Sequence, residues 1–135
     1  MYKLLLFIVF AAIAVTVLAN VKKSGGEENF KTVGVDEFEK IIADTANIQL
    51  VDVRTLAEYE EGHIKTASLI DVKTDSFLFQ ARENLNVNKA VAVYCRSGKR
   101  SAMAANLLSN EGYNVINLDG GIMAWINAGK PVVTM

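Results

Sequence analysis

The sequence predicts an α/β fold with a mainly parallel sheet and helices on both faces, and three observations carry that expectation. Short apolar, β-branched runs alternate with stretches of helical period from Phe30 onward. Two of these runs, IQLVDV and AVAVY, are so continuously apolar that they suit strands covered on both faces. The chain has 135 residues, 51% of them hydrophobic, which is near the common size of one domain with a single packed core.

Taken in order, FKTV is the first strand, and VDEFEKIIAD follows as a helix with Phe38, Ile41 and Ile42 on one face. IQLVDV is the second strand. Thr55 then opens TLAEYEEG, with Glu58 at the spacing of a capping box and Gly62 as the stop. ASLIDV is the third strand, and DSFLFQARENL a helix capped by Asp75 or Ser76, its aromatics leaving the period ambiguous. AVAVY, Ala90 to Tyr94, is the fourth strand and ends where Cys95 begins. A helix is expected from Ser101 to Glu111, with Ala102, Ala105, Leu107 and Leu108 facing inward and Gly112 beyond its end. NVINL is the fifth strand, and GIMAWINAG a last short helix that closes before Pro131.

The first residues stand apart from this pattern. Lys3 gives a short positive start, Leu4 to Leu18 is almost unbroken apolar chain, and Val17-Leu18-Ala19 suits a cleavage site before Asn20. Residues 1–19 therefore read as a signal peptide, which implies export, and a periplasmic address if the source is bacterial. Retained, residues 1–21 are a membrane anchor at the short limit of the roughly 20 apolar residues a span requires. Residues 20–29 are polar and glycine-bearing, a linker without apolar periodicity, and residues 30–135 form the domain.

Charge and cysteine count narrow the partners. With 14 basic and 15 acidic residues the net charge is -1, so no excess of positive charge advertises nucleic acid or an anionic membrane surface. Membrane contact is expected only if the first segment is retained. One Cys and one His are too few for a Cys/His zinc site, and the lone thiol has no internal disulfide partner. No metal or cofactor is expected.

The chemistry concentrates in YCRSGKRSA. In a parallel sheet, ligands sit at the carboxyl ends of the strands, where Cys95 falls. The loop after it leads into a helix N-terminus, so its amides can form an anion-binding nest, and Gly98 permits the backbone angles this needs. Arg96, Lys99 and Arg100 add full charges that favour a thiolate over a thiol and attract an anionic substrate. Without that context, Cys95 would read as a small buried hydrophobe beside a solvated loop.

CRSGKRSA, with LVDVR and YEEGHIKTASLI upstream and GYNVINLDGGIMAW downstream, resembles a single-domain rhodanese, a sulfurtransferase, across about Phe30 to Val132. The resemblance implies a five-stranded parallel sheet and an active loop from Cys95 to Arg100. It also implies a cycle in which Cys95 takes sulfane sulfur from a small anionic donor such as thiosulfate and passes it to cyanide or a thiol, including a protein thiol. On this reading Cys95 is catalytic, and Arg96, Ser97, Gly98, Lys99, Arg100 and Ser101 bind the substrate, the amides of Arg96 to Ser101 forming the cradle. One departure is Lys65-Thr66, where the family often has Pro-Gly.

Two rival readings use the same fold. A cysteine phosphatase or an arsenate reductase of related kind wants Cys, five residues, then Arg; here Cys plus six is Ser101, and Arg100 comes one position early. A noncatalytic sulfur carrier or protein-binding module is the other, since fold does not fix function.

Several residues have structural roles to fill. Asp52 and Arg54 in LVDVR are expected to support the site as an ion pair fixing neighbouring loops, with direct substrate contact as the alternative. His63 is expected to stabilise a turn by a hydrogen bond. Gly120-Gly121 reads as a tight strand-to-helix turn, Trp125 as core, and Glu27-Glu28 as a solvated pair.

Overall fold

A computed structural model describes residues 29–135. The expected signal segment at 1–19, Glu27-Glu28 and all but the last residue of the expected linker lie outside them. Strands β1 (Lys31–Val33), β2 (Ile48–Asp52), β3 (Ser68–Leu69), β4 (Ala90–Tyr94) and β5 (Val115–Leu118) form one sheet in the order β1-β5-β4-β2-β3. Every neighbouring pair is parallel, with Val51 opposite Val93 and Val93 opposite Asn117 across the centre. Parallel neighbours need crossovers, and helices α1 (Val35–Ile42), α2 (Leu56–Glu61), α3 (Phe77–Asn84), α4 (Lys99–Asn110) and α5 (Gly121–Asn127) lie between or after the strands. This is the predicted α/β fold.

The alternation of side chains along the central strands builds two cores. Val91, Val93 and Cys95 point to one face, where they meet Phe77 and Ala81 of α3 and Ala104 and Leu108 of α4. Ala92 and Tyr94 point to the other, with Phe38 of α1 and Ile122 and Trp125 of α5. Trp125 is core, as expected: it meets Phe38 edge to face, and its Nε1–H donates to the Pro131 carbonyl at 2.8 Å.

Three expectations are corrected. Helix α4 begins at Lys99 rather than Ser101, and its buried face is Ser101, Ala104, Ala105 and Leu108, while Ala102 and Leu107 are only partly covered. Gly98, with φ of +103°, turns the chain directly into the helix two residues earlier than expected, and packing against the sheet selects the buried face. Strand β3 is two residues long, shorter than ASLIDV; beyond it the Ile70 and Val72 amides reach the Asp52 and Val53 carbonyls from an irregular edge. Ser76 occupies the N-cap of α3 but at φ -90°, ψ 11°, not the extended backbone of a capping residue, and its Oγ accepts from Gln80 Nε2 at 2.8 Å instead. The capping box of α2 does form: Thr55 Oγ1 accepts from the Glu58 amide at 3.4 Å, and Glu58 Oε1 from the Thr55 amide at 3.3 Å.

Candidate active site

Strand β4 carries Cys95 to the carboxyl edge in the middle of the sheet, where only 1% of the residue is exposed. The loop that follows is oriented from outside. Its first two carbonyls accept from α5: Ile122 N–H donates to Cys95 O at 2.9 Å and Met123 N–H to Arg96 O at 3.1 Å. Because a peptide is planar and trans, each N–H points opposite to its carbonyl, so the amides of Arg96 and Ser97 are turned away from α5. The contact leaves no room for a side chain at Gly121, where a Cβ would come within 2.5 Å of the Arg96 carbonyl. The Gly120-Gly121 turn is therefore tight, as expected, and it is also the support of the cysteine loop.

Gly98 completes the curl. Its amide donates to Cys95 Sγ at 3.1 Å, and Ser101 Oγ lies 3.3 Å from the same sulfur. Ser101 Oγ is also 3.2 Å from the Gly98 carbonyl, yet it has one proton to give. A thiolate only accepts, so it draws that proton, whereas a thiol leaves it to the carbonyl. Burial alone would push the Cys95 thiol up; the Ser101 hydroxyl and the amides of Ser101, Gly98 and Ser97 outweigh it and bring the thiol below its ordinary value.

The three cations lie differently from one another. Arg96 and Lys99 are exposed, and Arg100 is half-buried and bound through both terminal nitrogens to Glu58, Nη1 to Oε1 and Nη2 to Oε2, each at 2.8 Å. Among the described residues, no guanidinium or ammonium donates to Sγ; the sulfur is met by N–H and O–H dipoles. Arg100, bound chiefly to Glu58, nevertheless feels the charges of Cys95 and Asp71.

Asp52 and Arg54 form the expected ion pair, with Arg54 Nη2 2.7 Å from Asp52 Oδ2 and both side chains buried. The same Nη2 donates to the Gly62 carbonyl at 2.7 Å, and the guanidinium lies 5.8 Å from the Tyr94 ring centre. Tyr94 Oη in turn accepts from the Ile64 amide at 3.0 Å. The pair thus ties β2, β4 and the turn after α2 together. His63 makes its turn hydrogen bond: Nδ1 must carry the proton, since it faces the Tyr59 carbonyl at 2.9 Å, and the ring stacks on Tyr59 at 3.7 Å. Between this turn and α5 lies a cavity of about 360 Å³ walled by Arg54, Glu58, Arg96, Ile122, Met123 and Val132.

Sequence reasoning missed three contributors. Glu58 was legible only as a cap, because nothing local links it to Arg100. Ser101 was named for the cradle, but the reach of its hydroxyl to Sγ, like the support that Gly121 gives the loop, follows from packing. Among the described residues, no group of three or more His, Cys, Asp or Glu side chains could hold a metal ion.

Sheet, strand-end position and the amide aimed at the sulfur define an α/β protein with a buried, hydrogen-bonded cysteine at the carboxyl edge of its central strand. Comparison makes the class particular: the Rhodanese-like domain model matches residues 34–128, and the chain belongs to that family. A sulfurtransferase of Allochromatium vinosum is 40% identical over 94 residues, covering 68% of this chain and 84% of its own. Thiosulfate sulfurtransferase 18 of Arabidopsis thaliana is 34% identical over 98 residues, covering 64% and 72% respectively. The crystal structure of a rhodanese-related protein from Thermoplasma volcanium superposes with a TM-score of 0.68 at 31% identity, covering 78% of this chain and all of that one. These relatives support a rhodanese-type sulfurtransferase.

Proposed function

We propose that this protein moves sulfane sulfur from an anionic donor such as thiosulfate to cyanide or a thiol through a Cys95 persulfide. One observation carries the reading: Cys95 Sγ is buried and held by the Gly98 amide and the Ser101 hydroxyl, so a thiolate is stabilised with no separate base. In the first step the thiolate attacks the outer sulfur of thiosulfate. A Cys95 S–S bond forms, the bond from that sulfur to the sulfite sulfur breaks, and sulfite leaves with its electron pair. In the second step cyanide or a thiolate attacks the outer persulfide sulfur, and the Cys95 thiolate returns. No proton is consumed in either step, and charge balances across both.

Thiosulfate-to-cyanide transfer by the reduced full chain, with Cys95→Ser in parallel, tests this. The wild type should form thiocyanate with ping-pong kinetics, and the variant none while keeping its circular dichroism and melting temperature. Turnover retained by Cys95→Ser would remove the mechanism, and no turnover by folded, reduced wild type would remove the sulfur-transfer reading.

We also propose that the protein is exported, on the strength of Lys3 and the apolar run from Leu4 to Leu18. N-terminal sequencing of protein from the native source should begin at Asn20; a chain beginning at Met1 and held on the membrane would show an anchor instead.

A further inference from the structure

Glu58 does more than its cap requires. The capping box uses one carboxylate oxygen, Oε1, which accepts from the Thr55 amide and, at 3.1 Å, from the Thr55 hydroxyl. Oε2 takes no part in the cap and accepts from Arg100, while Oε1 accepts a second guanidinium N–H. Thr55 thereby fixes the carboxylate, and the carboxylate fixes Arg100 in a two-bond geometry that a flexible pair would not hold.

The position of Arg100 makes this matter. It sits in the first turn of α4, beside the loop that holds Cys95, with Glu58, Asp71 and Cys95 as the ionisable groups acting on it. Its side chain and that of Glu58 are 20% and 27% exposed, so water screens the pair incompletely. Arg96, at the cavity wall, and Lys99 are exposed, so water screens their pull on an anion. The half-buried cation of the loop is thus the one already neutralised.

We propose that Glu58 is a specificity-determining positioning residue that holds Arg100 and withholds its charge from the donor at Cys95, so that the site disfavours small dianions relative to donors of lower charge. The substrate part of this inference rests on the sulfur-transfer reading; the coupling of Glu58 to Cys95 through Arg100 does not.

The test compares thiosulfate, a dianion, with benzenethiosulfonate, a monoanion carrying the same kind of outer sulfur. Glu58→Gln keeps an acceptor for Thr55 and removes the charge. Because attraction scales with the product of charges, kcat/KM should rise about tenfold for the dianion and about threefold for the monoanion. Arg100→Gln leaves Glu58 unpaired and should move both in the opposite direction, again more for the dianion. Glu58→Gln/Arg100→Gln should return the ratio of the two donors to the wild-type value.

A structural clamp alone would lower both donors alike in every variant, and that outcome overturns the proposal. A second readout needs no donor. The ultraviolet absorbance of the thiolate, which comes from one cysteine and is read below the pH at which tyrosines ionise, should appear at lower pH in Glu58→Gln and at higher pH in Arg100→Gln. Unmoved titrations overturn the coupling even if sulfur transfer fails, and Arg100→Gln decides it even if Glu58→Gln does not fold.

Discussion

At the scale of single residues, the site turns on where one proton goes. Ser101 Oγ can serve the Cys95 sulfur or the Gly98 carbonyl, and ionisation of the thiol decides between them. Ser101→Ala removes a donor that helps hold the Cys95 pKa down, so the pH at which the thiol ionises should rise. Sulfur transfer near neutral pH should slow several-fold, and the rate should recover as pH increases; a rate profile for the variant that overlies the wild type would count against the role. Linkage carries the same sign. A thiol pKa lowered by folding contributes stability that is fully present above the ordinary thiol range and is lost as pH falls through the folded value. Glu58 behaves likewise in acid: its bond to Arg100 holds it at about 2 against an ordinary 4.5, so its contribution is present above 4.5 and lost as pH falls toward 2. Sequence showed the thiol and its candidate charge partners as types, but placing the amides and hydroxyl at the sulfur depends on the curl of the loop around Gly98 and on the packing of α4.

At the scale of elements, local chemistry wrote most of the boundaries. The capping box of α2, the stop at Gly62 and the buried runs of β2 and β4 are short-range features, so they were legible. The edge strand β3 was not, because its length depends on how far β2 offers partners to it. The turn before β3 shows the cost of one unusual choice. Thr66 sits at φ +75°, a left-handed conformation that β-branched residues resist, at the place where the sequence departs from the family's usual glycine. Thr66→Gly should raise stability by about 0.5–1 kcal/mol, the relief of about 1–2 kcal/mol of backbone strain being partly offset by the entropy of glycine in the unfolded chain. Urea unfolding measures this, and a lower midpoint for the variant would mean the turn is not strained.

At the scale of the whole molecule, the sheet order explains why the site is assembled from distant parts. Placing β4 between β5 and β2 brings α5 under the cysteine loop from one side and the α2 segment toward it from the other. Periodicity along the chain foretold an α/β fold of this kind, since alternation of strand and helix constrains topology strongly. It could not foretell the Glu58–Arg100 bond, which joins residues far apart in sequence and depends on the packing of two helices across a strand end. The support under the cysteine has a consequence in time. The carbonyls of Cys95 and Arg96 find their donors in Ile122 and Met123, which the ribosome adds long after the cysteine itself. Those two carbonyls lack these donors until α5 is made and docked, so the orientation of the cysteine loop is completed only by the helix that follows β5.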